Sequence, residues 1–282
     1  MIPLSRSGFP SGYRGSDAGP HGRVLYTDPV MTTPASPGSR SATVSGITIG
    51  EGRPLALIAG PCVIENDDLM MRTAETLVGI TRRLGIPLIF KSSFEKDNRS
   101  SAEFYRGPGI EKGLALLARV KGTFGVPVIS DIHRESDVAA AAEVLDVLQI
   151  PAYLCQQTSL LLTAGRSGRP VNVKKGQFLA PHNMASAVGK LRSAGCTEIL
   201  VTERGSSFGY NRLVNDFISI PIMKALGVPV VYDATHSVRL YGTPSKDPRG
   251  GEPQFIPHLA RAGVAAGCDA LFTTTPAEMY PA

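Results

Sequence analysis

From residue 55 to residue 275 one pattern repeats eight times: a short apolar run with polar side chains at or just past its end. The runs are LALIAG (55–60), PLIFK (87–91), VPVISDI (126–132), DVLQIP (146–151), VNVKK (171–175), EILVTER (198–204), PVVYDATH (229–236) and DALFTTT (269–275). Between them, helical periodicity falls near 67–84, 109–124, 136–144, 157–166, 184–194, 212–226 and 255–266. Parallel strands must be joined by crossovers, and closing the sheet into a ring removes both edges. Eight strands with seven intervening helices therefore predict an α/β fold, a (β/α)8 or TIM barrel. After the last run only PAEMYPA remains, so the eighth helix of such a barrel has no counterpart in the sequence.

Ahead of the barrel, ATVSGITIG alternates around Gly46 and predicts a small β-hairpin. Residues 1–43 are rich in Gly, Pro, Ser and Arg without sustained periodicity, and are expected to form a disordered extension, with Met31 as an alternative start. The expected organisation is an extension over 1–43, a barrel over 44–275 and an aberrant tail over 276–282.

In a barrel of this kind the active site lies at the C-terminal ends of the strands. Those ends carry Cys62; Lys91, Ser93 and Lys96; Asp131 and His133; Gln149; Lys174 and Lys175; Glu203 and Arg204; and Asp233 and His236. A single charge at a strand end is explained by solvation alone. Lys91, Lys96, Lys174 and Arg204 on one mouth would repel each other unless anions were bound there. Arg suits bidentate phosphate contacts and Lys acts as a mobile point charge, so two or more anionic groups are implied.

The formal net charge of +5 fits an anionic partner, but its basic residues are scattered and form no continuous stripe with aromatics. That argues against nucleic acid and for small anions. No apolar run reaches the roughly 20 residues of a membrane span. Cys62, Cys155, Cys196 and Cys268 are widely spaced and include no CxxC pair, which argues against a disulfide scaffold or zinc ribbon and for a reducing cytoplasm. Cys62 and His236 are donors that Zn or Fe(II) accept, yet a lone cysteine is also an ordinary buried residue and a lone histidine an ordinary hydrogen-bonding one. Spacing alone leaves a metal open.

IAGPCVIEN, KSSFEKDNRSS, YRGPGIEKGL, QIPAYLCQQT, VNVKKGQFLAP, TERGSSFGYNRLVNDF and VYDATHSVRL, in that order, resemble the 3-deoxy-D-manno-octulosonate 8-phosphate synthases from about residue 45 to about residue 272. The 3-deoxy-heptulosonate 7-phosphate synthases share the barrel, but Lys-x-Asn-Arg-Ser-Ser looks like the octulosonate form. The resemblance implies condensation of phosphoenolpyruvate with D-arabinose 5-phosphate and water, releasing phosphate and feeding lipopolysaccharide. It implies that Lys91, Ser93 and Gln149 surround the phosphoenolpyruvate carboxylate and backbone with Lys96, that Lys174 and Arg204 hold its phosphate, with Gln177 also binding substrate, and that Asn98, Arg99 and Ser100 hold the sugar phosphate. Lys96 and His133 are the candidates for proton transfer, with Asp131 and His236 completing the catalytic set.

The resemblance further implies a divalent metal (Zn, Fe(II) or Mn), with Cys62 and His236 as ligands, and a homotetramer. Here the sequence departs from the family. Thr274 stands where a ligating Glu is expected, and the Asp of the following loop has no counterpart, which points to a frameshift, sequencing error or truncation near residue 273; Glu278 is a distant substitute. Gln156 replaces an Arg that reaches a neighbouring subunit's sugar phosphate, and Asp97 replaces an Ala beside a phosphate site; both changes should weaken binding. The other readings are a heptulosonate synthase-like enzyme, or an impaired barrel that binds phosphoenolpyruvate or a sugar phosphate without turnover.

Overall fold

The hairpin predicted around Gly46 closes the floor of the barrel. In the computed structural model, which describes residues 40–207, 209–243 and 247–275, strands β1 (Ser41–Val44) and β2 (Ile47–Gly50) pair antiparallel. Ser45 and Gly46 between them have φ of +44° and +88°, the two left-handed residues that a two-residue turn of this hand requires. Ala42, Val44 and Ile49 pack beneath Ile58, Ile89, Ile129, Val147, Leu200 and Val231, sealing the barrel's N-terminal end. β1 thus begins three residues ahead of the boundary expected at 44, because pairing with β2 gives these residues partners. The expectations for residues 1–39 and 276–282, with Met31 and Glu278, lie outside the described residues.

The eight repeats form the ring: β3 (Ala56–Pro61), β4 (Leu88–Lys91), β5 (Val128–Asp131), β6 (Val147–Ile150), β7 (Val171–Lys174), β8 (Ile199–Glu203), β9 (Val230–Asp233) and β10 (Ala270–Thr275). Every pairing is parallel, and β10 closes on β3 with Ala270 opposite Ala56 and Thr274 opposite Gly60. Helices α1 (Asp67–Leu84), α2 (Ile110–Phe124), α3 (Asp137–Val144), α4 (Thr158–Gly165), α5 (Met184–Ser193), α6 (Ser219–Lys224) and α7 (Ile256–Ala265) lie between successive strands. Helix α1 shows why its ends fall where they do. The Asn66 side chain accepts from the Leu69 amide, Asp67 and Asp68 sit in the first turn, Arg82 and Arg83 in the last, and Gly85 at φ +64° stops it.

The strand period of two then sorts the interior. Ile89 and Lys91, Ile129 and Asp131, Val147 and Gln149, and Val231 and Asp233 share a face along their strands. The lower member of each pair joins the apolar floor, and the upper member is a buried polar group. The other face of the ring carries Phe90, Leu148, Val201 and Tyr232 against Leu77, Leu117, Leu161, Leu191 and Ile220 of the helices.

One expected helix, 212–226, is mostly not helical: only Ser219–Lys224 is. Bridges Ser206↔Val214 and Arg212↔Leu240 draw the first part of that stretch across the mouth as a loop. The Asp216 carboxylate accepts from the Ile218 amide at 3.0 Å, a local bond that competes with extending the helix backward. The apolar spacing of Leu213, Val214, Phe217 and Ile218 imitates a helical face, but Val214 and Ile218 are exposed.

Candidate active site

Asp131 organises the wall built by β4, β5 and β6. Its Oδ2 accepts from the Ser93 hydroxyl and, at 3.1 Å, from Lys96 Nζ, while Lys91 Nζ stands 3.7 Å away. Its Oδ1 accepts from Gln149 Nε2 at 2.5 Å. Lys91 Nζ also donates to Ser93 Oγ at 2.8 Å and to the Cys62 carbonyl at 3.0 Å. Gln149 is held in turn by Asn172 (2.9 Å), and Asn172 by the Thr202 hydroxyl (2.8 Å), so its amide orientation is fixed.

The electrostatics follow from burial and crowding. Burial opposes ionisation of Asp131, but Lys96 and Lys91 outweigh it and hold the carboxyl well below the usual range. Burial, reinforced by the repulsion of Lys96, pushes Lys91 down to about 8. Lys96 is also disfavoured by burial, yet Asp131 and then Cys62 raise it above an ordinary lysine. His133 is lowered chiefly by burial, and its Nδ1 is buried without a hydrogen-bond partner. A neutral imidazole therefore stands beside a charged ammonium.

Asp233 organises the opposite wall. Its Oδ2 accepts from Lys174 Nζ and meets His236 Nδ1 at 2.7 Å. Its Oδ1 accepts from the amides of Thr235 (3.2 Å) and His236 (2.9 Å). Lys174 Nζ lies 3.7 Å from the centre of the Phe272 ring, a cation–π contact at the boundary between the apolar floor and the charged mouth. Burial lowers Lys174, and Arg204 adds to that, with Asp233 opposing.

Cys62 is half-buried and within electrostatic reach of His236. Burial favours its thiol form, but Lys96, His236 and Lys91 outweigh it and bring the group well below an ordinary thiol. The structure therefore brings the two expected metal donors together. Thr274 does not supply a third: its amide and hydroxyl meet Thr235 Oγ1 at 3.1 and 3.2 Å. Among the described residues no group of three or more His, Cys, Asp or Glu side chains is arranged to hold a metal. Two donors alone do not complete a centre of the usual four.

Arg204 completes the cation set. Its Nη1 donates to Tyr241 Oη and, at 3.4 Å, to Gln177 Oε1. The expected repulsion among cations is partly relieved from within, because Lys91, Lys96 and Lys174 already face Asp131 and Asp233; Arg204 has neutral oxygens as partners. Asn98, Arg99 and Ser100 lie on the more open loop after β4, where Arg99 Nε donates to the Tyr105 carbonyl at 3.0 Å. Asp97 does not bear alone on that site. It pairs with Arg106 and lies 3.5 Å from Arg134, which also binds Glu95 at 2.8 Å.

Sequence reasoning missed Tyr241 and Arg239. Arg239 is half-buried and within electrostatic reach of Cys62, Arg204 and Arg99. Both follow β9 on the segment bridged to Arg212, so their approach depends on loop pairing rather than on strand period. The position of Arg239, directly after the His236–Val238 turn, was the available signal.

Comparison with known proteins identifies the family. The sequence profile of the DAHP synthetase I family matches residues 32–278. The 2-dehydro-3-deoxyphosphooctonate aldolase of Citrifermentans bemidjiense is 56% identical over 234 residues, covering 83% of this chain and 85% of that protein. The protein of the same name from Cyanothece sp. is 57% identical over 226 residues, 80% of this chain and 82% of its own. That from Desulfotalea psychrophila is 54% identical over 237 residues, 84% of this chain and 83% of its own.

Proposed function

Because the chain belongs to the DAHP synthetase I family, we infer that it carries out the reaction named for its relatives, as a 3-deoxy-D-manno-octulosonate 8-phosphate synthase. It condenses phosphoenolpyruvate with D-arabinose 5-phosphate and water, and releases phosphate. The observation that carries this reading is identity above half with proteins of that one activity over four-fifths of the chain. The mouth supports it: Lys91, Lys96, Lys174 and Arg204 outnumber Asp131 and Asp233, leaving positive charge for substrates that bring two phosphates and a carboxylate.

In the pose we propose, Lys91, Ser93 and Gln149 face the phosphoenolpyruvate carboxylate, and Lys174, Gln177 and Arg204 its phosphate. Asn98, Arg99 and Ser100 hold the sugar phosphate. C3 of the enol attacks the aldehyde carbon while water adds at C2, and the resulting hemiketal phosphate expels phosphate by C–O cleavage. As C3 attacks, negative charge develops on the aldehyde oxygen, where Lys96, kept protonated by Asp131, donates a proton. The neutral His133 imidazole is suited to accept a proton from the attacking water. Fixing two mutually repelling anions in one orientation contributes several kcal/mol.

Family membership is consistent with a metal-dependent enzyme. Cys62 and His236 offer donors that suit a divalent ion such as Zn, Fe(II) or Mn, and Asp233 sets the His236 ring by its Nδ1 contact. The described residues do not complete that donor set, and the steps above depend on side chains alone. No helix of the described residues is long and apolar enough to cross a membrane. A cytoplasmic homotetramer is the assembly that fits the resemblance.

The test is phosphate release from phosphoenolpyruvate, with product identified by mass. Release that requires arabinose 5-phosphate supports the synthase. Release driven instead by a four-carbon aldose phosphate would give a seven-carbon acid and establish the heptulosonate reading, and phosphoenolpyruvate binding without release would establish an impaired barrel.

A further inference from the structure

Lys175 directly follows Lys174, the last residue of β7, and its side chain is 1% exposed. Lys174 meets Asp233 in the mouth, and Lys175 does not share that partner. Its ammonium is instead enclosed by oxygens from two loops. After β7 the carbonyls of Gly176 and Leu179 accept at 3.4 and 3.2 Å; after β8 the Gly205 carbonyl accepts at 3.4 Å and Ser206 Oγ at 3.1 Å. Glu203 Oε1 stands 3.5 Å away and accepts the amides of Arg204 (2.9 Å) and Gly205 (2.6 Å). The Ser207 amide donates to the Gln177 carbonyl at 2.8 Å, so the two loops are also joined through their backbones.

Gln177 rides on the first of these loops and Arg204 opens the second, and their side chains meet above the clamp. We propose that Lys175 is a positioning residue for phosphate recognition: together with Glu203 it locks the loop after β7 to the loop after β8, so that Gln177 and Arg204 meet the phosphate of phosphoenolpyruvate as one unit. This rests on the function proposed above. A charge-assisted clamp of four neutral acceptors and one carboxylate fixes loop geometry more tightly than an apolar side chain, which has no directional bond to either loop. Its expected signature is a defect confined to one substrate.

The experiment compares the full chain with K175M and with K175M/E203Q, which leaves no unpaired buried charge. The expected result is a rise of about tenfold in KM for phosphoenolpyruvate in both variants, with KM for arabinose 5-phosphate and kcat within about twofold. Unchanged constants in a folded variant overturn the proposal. An equal loss in both KM values and in kcat, tracking a fall in Tm, overturns it as well, because that is a purely structural effect. Amide exchange of the unsubstituted chain keeps the proposal testable if the variants do not fold. Inorganic phosphate should slow exchange at Arg204, Gly205 and Ser207 together, and protection of Arg204 alone contradicts the clamp. Lack of phosphate release by the unsubstituted chain overturns the functional reading, while the exchange measurement still decides the clamp.

Discussion

Asp131 and Asp233 are both buried and ionised, and both bind a lysine, but they are held by different parts of the chain. Asp131 is held by side chains: Ser93 and Lys96 come from the loop after β4, and Gln149 from β6. Asp233 is held largely by its own turn, with the Thr235 and His236 amides and the Thr235 hydroxyl on Oδ1. The first carboxylate arranges groups that face substrate; the second also builds the backbone that carries His236. Equal burial therefore does not mean equal roles.

The comparison breaks most readily at Asp233. Replacing it with Ala removes the turn's acceptor and leaves Lys174 buried without its carboxylate, so D233A should lose about 3–5 kcal/mol in urea unfolding, with activity abolished. D131N keeps the shape and one acceptor oxygen but removes the charge that holds Lys96 protonated. Its kcat should fall by about 10²–10⁴ with a smaller loss of stability than D233A. An equal stability loss in D131N and D233A would contradict the distinction.

Acid sharpens the same contrast. The Asp131 carboxyl sits well below its ordinary 3.8 in the folded chain. The unfolded chain consequently binds the extra proton first, and the stability contributed by this carboxylate is complete above 3.8 and lost as pH falls through the folded value. The stability gap between the unsubstituted chain and D131N should narrow as pH falls, measured by urea unfolding at successive pH values. A gap that widens would contradict the assignment. The smallest effect is expected at Asp97, whose charge is matched by Arg106 and Arg134 near the surface. D97A should change stability by less than about 1 kcal/mol and leave KM for arabinose 5-phosphate within about twofold; markedly tighter sugar phosphate binding would show that Asp97 faces the phosphate after all.

The barrel was legible because strand period and crossover length are local properties, and the apolar floor and polar mouth repeat them eight times. The convergence of Lys91, Lys96, Lys174 and Arg204 followed from strand ends alone. Their pairing did not: Asp131 and Asp233 stood among the strand ends, but which cation each would neutralise depends on neighbours across the ring. The stretch 212–218 was misread because bridges to segments distant in sequence override its helical spacing. For the same reason Tyr241 and Arg239 escaped notice, as did the pairing of Asp97 with Arg106.

The central claim is that the cations at this mouth hold two anionic substrates together for one condensation. Its most direct measurement is phosphate release from phosphoenolpyruvate by the full chain, with and without D-arabinose 5-phosphate. The account predicts release only when both are present, with an eight-carbon sugar acid phosphate formed in equal amount. Release without the sugar phosphate, or no release with both, would contradict it.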